Sequence, residues 1–257
     1  DCGSKILITA DGNNRGSKFV PLKANADVAL EKGTSIEKVI VVNRAGAECP
    51  MEPGRDIWWH EEMAKADRSC EPVWCDAEDP LFILYTSGST GKPKGVVHTT
   101  AGYLLGTCIT FKYVFDYHEN DTYWCTADIG WITGHSYIVY GPLLAGATTV
   151  LYEGKPVGTP DAGQFWRVVA DHRVKSLFTA PTAFRAIRKA DPDGAFVGKY
   201  DVSSLQYLFL AGERLDPDAL HRVDVGFGAP VGGDRQGELP GGVPADGALL
   251  LEHPGQV

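Results

Sequence analysis

Short apolar runs rich in β-branched and aromatic residues alternate with longer stretches of helical character over most of the chain. The runs at residues 6–10, 39–42, 81–85, 123–126, 148–152, 176–179 and 206–210 predict strands. Helices are predicted over residues 24–32, 56–65, 99–110, 133–144, 161–172 and 182–189. In the second of these helices Asp56 falls near the N-terminus, where the helix dipole favours a carboxylate. Repeated alternation of strand and helix predicts an α/β protein, with mostly parallel sheets and helices on both faces. Sheets of that kind bind ligands at the carboxyl ends of their strands.

The texture changes late in the chain. Residues 223–257 hold nine Gly and four Pro and no Lys, a composition that reads as turns and loop. Only Gly247-Ala-Leu-Leu-Leu-Glu252 reads as a short strand there. The whole chain has 257 residues, a net charge of −9 and a pI near 5.2. That length supports a sizeable core. An acidic chain without a basic run argues against nucleic acid and anionic membranes as partners. No apolar run approaches a spanning helix, and the N-terminus Asp1-Cys-Gly-Ser-Lys5 lacks the apolar region of a signal peptide. The chain opens without Met, directly on a strand-like run, and reads as a piece of something longer. Its six cysteines, at 2, 49, 70, 75, 108 and 125, show no spacing that completes a zinc site, so no metal site is assigned. Reduced thiols are expected, which points to a cytoplasmic protein.

The chemistry concentrates in Tyr85-Thr-Ser-Gly-Ser-Thr-Gly-Lys-Pro-Lys-Gly-Val96, directly after the third apolar run. Hydroxyls (Thr86, Ser87, Ser89, Thr90), glycines (Gly88, Gly91) and lysines (Lys92, Lys94) crowd together. Glycines let backbone N–H groups approach an anion, hydroxyls add donors, and lysines neutralise charge. The segment reads as a polyphosphate cradle. It is not the common P-loop, which needs a hydroxyl after its lysine, whereas Pro93 follows Lys92.

This run resembles the signature of the AMP-forming, adenylate-forming acyl-CoA synthetases. Thr126-Ala-Asp-Ile-Gly-Trp-Ile-Thr-Gly-His-Ser-Tyr137 is similar to a second hallmark of the short-chain branch, the acetyl-CoA and propionyl-CoA synthetases. Tyr140-Gly-Pro-Leu-Leu144, Phe178-Thr-Ala-Pro-Thr182, Ala211-Gly-Glu213 and the upstream Asn14-Arg-Gly-Ser-Lys-Phe-Val-Pro-Leu-Lys23 resemble it in the same order. Up to about residue 152 the closer likeness is to acetyl-CoA synthetase, and from about 154 to 221 to propionyl-CoA synthetase. The resemblance implies a partial N-terminal domain of the adenylate-forming fold, with residues 1–222 as the central part of the AMP-binding domain. Residues 223–257 depart from the pattern. A Thr-Trp-Trp-Gln-Thr-Glu-type run that holds adenine and metal is absent, and the mobile C-terminal domain has no counterpart.

What the resemblance implies is an acetate–CoA ligase fragment that uses ATP, Mg²⁺ and coenzyme A. The alternatives are a propionate–CoA ligase and a catalytically incomplete nucleotide- or CoA-binding remnant. Residues 86–92 and Lys94 would take the phosphates, with Gly212, Glu213 and Arg214 along adenine; Arg214 stands where the family carries Pro. Trp131, Ile132, Thr133 and Ala211 would form the acyl pocket, Trp131 limiting chain length unless it is plain core. Acetate-specific members carry Val at the position of Ala211. Arg15 and Lys18 would meet the CoA 3′-phosphate, and Thr133 and Ala180 would line the CoA channel. Val157 replaces an Asn contact. His135 reads as either a base or a hydrogen-bonded structural residue, and adenylation needs no base.

Overall fold

The computed structural model describes residues 2–16, 18–86 and 91–212, together with the backbone of residues 238–239 and 243–244. The chain divides into two compact units, Asp1–Val73 and Trp74–Val257. The Gly/Pro-rich segment from 223 therefore lies outside the described residues, apart from the short antiparallel pair Glu238–Leu239 and Val243–Pro244.

The first unit runs β1 (Ile6–Ala10), β2 (Asn13–Arg15), β3 (Lys18–Val20), α1 (Leu22–Leu30), β4 (Lys38–Val42), β5 (Asp56–Trp58) and α2 (Trp59–Lys65). β1, β4 and β5 form a parallel sheet with β4 central, and β2 and β3 form a hairpin. Val39 and Val41 on β4 are fully buried, as expected for a strand flanked on both edges. Asp11 follows β1, and its buried carboxylate accepts N–H bonds from Arg44 (2.8 Å), Ala45 (3.0 Å) and Ala47 (2.7 Å). Burial alone would raise its pKa, but the amides of Ala45, Ala47, Arg44 and Gly12 hold it at about 2.

One predicted element is overturned here. Asp56 does not start a helix: residues 56–58 pair in register with Val39, Ile40 and Val41, and helix α2 begins at Trp59. Glu61 and Glu62 occupy its first turn. The Asp56 carboxylate is taken instead by Lys23 (2.8 Å) and Arg55 (2.6 Å), and Lys23 also binds Asp27 (2.7 Å). Lys23 is only 1% exposed and the Asp56 side chain 0%. An ammonium that dry persists only with such partners.

The second unit runs β6 (Pro80–Thr86), β7 (Lys94–Thr99), α3 (Thr100–Tyr113), β8 (Thr122–Cys125), α4 (Ile132–Gly134), a π-helical turn (His135–Tyr140), α5 (Gly141–Leu144), β9 (Thr148–Val150), α6 (Gln164–His172), β10 (Val174–Thr179), α7 (Pro181–Ala190) and β11 (Tyr207–Leu210). A parallel four-stranded sheet has the order β11-β10-β8-β9. Register sets its two faces. Trp124, Leu177 and Leu208 align across the strands and pack, with Leu210, on Phe165, Val168 and Val169 of α6 and on Phe184 and Ile187 of α7. Cys125, Phe178 and Phe209 align one residue on and pack, with Tyr123, on Phe111 of α3, on Phe115, and on Tyr137 and Ile138 of the π turn. Helices thus cover both faces, which is why these strands read as unbroken apolar runs. The predicted helix over 133–144 exists as α4, π turn and α5 in succession. No described helix is long and apolar enough to cross a membrane.

Candidate functional site

The hydroxyl- and lysine-rich motif sits on a hairpin. β6 and β7 pair antiparallel from Pro80↔Thr99 to Thr86↔Lys94, so Thr86 and Lys94 face each other at its mouth. This corrects two expectations: Lys94 begins a strand instead of lying in the loop, and the motif does not follow a parallel strand. Pro93 cannot continue a helix, and the β-branched pair Val96-Val97 favours extended backbone. Gly91 takes φ +80, a left-handed conformation that an L side chain would strain, and Lys92 is exposed. Ser87, Gly88, Ser89 and Thr90 lie outside the described residues.

An aromatic cluster fastens this hairpin to the helices. The Phe82 ring on β6 lies 4.7 Å from His98, 4.9 Å from Tyr103, 5.0 Å from His135 and 5.8 Å from Tyr140. Tyr103 meets it edge-on at 89°, the arrangement that aromatic quadrupoles favour. The Tyr103 hydroxyl shares a 2.6 Å hydrogen bond with Ser136 Oγ.

The remaining motifs leave the four-stranded sheet at one edge. Thr126 N–H donates to the Phe178 carbonyl (2.9 Å) and Ala211 N–H to the Thr179 carbonyl (3.3 Å). Thr126 Oγ1 donates to Thr179 Oγ1 (2.6 Å). The ends of β8, β10 and β11 are therefore level, and the segments starting at Thr126, Ala180 and Ala211 emerge side by side. Trp131 precedes α4 and is 71% exposed, so it is not a core residue. Ile132 is exposed and Thr133 half-buried. The loop before them lies directly on the helix: a Cβ on Gly134 would come within 2.3 Å of the Asp128 carbonyl oxygen. Ala211 is half-buried beside the Phe111–Phe209 cluster, Ala180 caps α7, and Gly212 is exposed with φ +98. Glu213 and Arg214 lie outside the described residues.

In the first unit, Arg15 and Lys18 are register partners across the β2–β3 hairpin, and both are exposed.

Residues 1–233 match the AMP-binding enzyme family. The chain belongs to that family. It is 55% identical over 221 residues to a protein of Methylobacillus flagellatus named acetyl-coenzyme A synthetase, covering 85% of this chain and 33% of the relative. Proteins of the same name from Bradyrhizobium diazoefficiens (52% over 238 residues; 91% and 35%) and Parvibaculum lavamentivorans (49% over 255 residues; 95% and 39%) are also similar. The chain thus spans about a third of the length of these relatives.

For a member of the AMP-binding enzyme family, the structure brings the segments starting at Thr126, Ala180 and Ala211 side by side at the strand ends, with Trp131, Ile132 and Thr133 further along the first of them, and sets Thr86 opposite Lys94 on the hairpin. Sequence reasoning missed the Phe82 cluster. Its members come from β6, β7, α3 and the π turn, and each reads singly as ordinary core. The one available signal was five aromatic or imidazole side chains in or near the two glycine-bearing motifs.

Proposed function

We propose that the chain carries the nucleotide- and acyl-binding part of an acetate–CoA ligase that forms AMP. Residues 1–222 are the central part of its adenylation domain. An acetate oxygen attacks the α-phosphorus of ATP, the bond to the β-phosphate breaks, and pyrophosphate leaves. The CoA sulfur then attacks the acetyl-adenylate carbonyl and AMP departs. Acetate is already a nucleophile, so the first step asks for alignment and charge neutralisation instead of a base.

Thr86, Ser87, Gly88, Ser89, Thr90, Gly91, Lys92 and Lys94 hold the polyphosphate. Gly212, Glu213 and Arg214 follow the adenine, and Trp131, Ile132, Thr133 and Ala211 shape the acyl site. Arg15, Lys18, Thr133 and Ala180 serve CoA. Mg²⁺ would arrive with the nucleotide and neutralise phosphate charge, and Thr86, Ser87, Ser89 and Thr90 would offer it the oxygen donors that a hard cation prefers. Among the described residues no group of three His, Cys, Asp or Glu side chains could hold a metal, so no further protein ligand is assigned.

The observation that supports this reading is the shared edge where Thr126 and Ala211 are both bonded to Thr179. It gathers three motifs far apart in sequence. The relatives' names supply acetate as the acid. Ala211, smaller than Val, supports propionate as a second substrate.

The test is ATP–pyrophosphate exchange driven by acetate, in a chimera where a relative supplies the sequence this chain does not span. Exchange is expected, and replacing both Lys92 and Lys94 with Ala lowers it by about a hundredfold, the worth of two charge-assisted hydrogen bonds. A chimera that binds ATP without exchange would reduce the chain to a nucleotide-binding remnant. Undiminished exchange in the double variant would move both lysines to the solvated surface.

A further inference from the structure

His135 sits where two parts of the candidate site meet. Its ring is 5.0 Å from Phe82 on the phosphate hairpin, and its Nδ1 is 3.1 Å from the Trp131 carbonyl oxygen. A carbonyl has no proton to give, so Nδ1 must donate, and neutral His135 carries its proton there with Nε2 bare. The His135 backbone N–H reaches the same oxygen at 3.1 Å. His135 also opens the π turn, a form of helix that recurs at functional sites. Gly134, just before it, is pinned against the loop that carries Trp131.

We infer that His135 is a positioning residue that registers the Trp131 acyl wall against the phosphate hairpin, through a tautomer fixed by the Trp131 carbonyl. The inference rests on the acyl-CoA synthetase reading for its kinetic consequences, but not for its geometry. It takes no proton from substrate. One edge of the imidazole holds the backbone of Trp131 and one face holds Phe82. Each contact can be removed while the other is kept.

His135→Asn keeps a donor near the Nδ1 position and loses the ring. His135→Phe keeps the ring and loses the donor. In the chimera, His135→Asn raises KM for MgATP and leaves the acetate-to-propionate ratio of kcat/KM unchanged. His135→Phe leaves KM for MgATP near wild type and shifts that ratio by about three- to tenfold, the worth of one hydrogen bond. A residue of general structural importance would move both parameters together in both variants, and that result overturns the inference. A separate readout needs no activity. Long-range ¹H–¹⁵N correlation on the 257-residue chain, recorded well above the ordinary imidazole pKa of about 6.5, shows the Nδ1–H tautomer for His135. An Nε2–H tautomer overturns it. Should the wild-type chimera show no exchange, the functional reading fails, and the imidazole spectrum alone decides the positioning role of His135.

Discussion

Replacing Lys23 with Met tests the buried ion cluster that organises the first unit. Met keeps most of the apolar stem and removes only the ammonium. In the native chain that ammonium lies 2.7 Å from Asp27, 2.8 Å from Asp56 and 3.2 Å from the Pro50 carbonyl oxygen. Without it Asp27 keeps the Arg55 guanidinium at 2.6 Å, and Asp56 keeps Arg55 and the Glu52 amide at 2.9 Å. Breaking a buried pair by removing one partner costs about 3–5 kcal/mol, and the surviving Arg55 contacts put this case at the lower end, about 3 kcal/mol. The chain has two units, so a single denaturation midpoint would mix them. Hydrogen exchange at the Val39 amide, which donates to the Arg55 carbonyl at 3.0 Å, reports the first unit alone. Its protection should fall by about a hundredfold, since each 1.36 kcal/mol is a decade. Adding Asp56→Asn should recover part of that loss, because the double change no longer strands a buried charge. Protection within about threefold of wild type, or additive losses in the double variant, would refute the argument.

Acid should destabilise the same unit. Asp11 is held at about 2 by four backbone amides that outweigh its burial, and Asp56 is also depressed, its burial offset by Arg55, the Glu52 amide and Lys23. Groups lowered by folding contribute stability above the ordinary carboxylate range of about 4, and lose it as pH falls towards about 2. Val39 protection measured down that range should drop with pH in the wild type and less steeply in Asp11→Asn; a flat profile would deny the network its role. In the acyl site, Ala211→Val should push the kcat/KM ratio towards acetate by about tenfold, one methyl-scale contact, and Trp131→Gly should admit longer acids. Flat ratios for acetate, propionate and butyrate would remove both residues from the pocket. Burial raises the Cys125 thiol to about 11, whereas Cys2, Cys70, Cys75 and Cys108 are exposed. A thiol reagent near neutral pH should modify those four quickly and Cys125 only on unfolding, as mass spectrometry of the labelled peptides would show.

The parallel sheet of the second unit was legible because its strands are buried on both faces. Tyr123-Trp124-Cys125, Leu177-Phe178 and Leu208-Phe209-Leu210 alternate between two hydrophobic clusters, so every position is apolar and no period competes with the strand reading. β2 and β3 gave no such signal: Asn-Asn-Arg and Lys-Phe-Val are mostly exposed and pair with each other as a hairpin. Asp56 misled for a different reason. A carboxylate before a helix usually reports the dipole, and here it reports a lysine that is far off in sequence. The Phe82 cluster was illegible because imidazoles and phenols acquire meaning only when β6, β7, α3 and the π turn converge.

The position of the candidate site follows from where those apolar runs stop. Thr126 and Thr179 are the first polar residues after Cys125 and Phe178, and each would leave a hydroxyl at the rim of a hydrophobic layer. Their mutual 2.6 Å hydrogen bond satisfies both, and it can form only if β8 and β10 end level. Ala211 then completes the line by donating to the Thr179 carbonyl, while its own small side chain packs against the aromatic cluster below. Beyond that line the first of these segments turns through Asp128, Gly130 and Gly134. Trp131 itself is held through its backbone, its N–H donating to the Asp128 carbonyl (3.1 Å) and its own carbonyl accepting from His135, while the residue stays exposed. Substitutions at Thr126 or Thr179 should therefore change stability before selectivity, whereas Trp131→Gly or His135→Phe should alter selectivity in a chain that still folds.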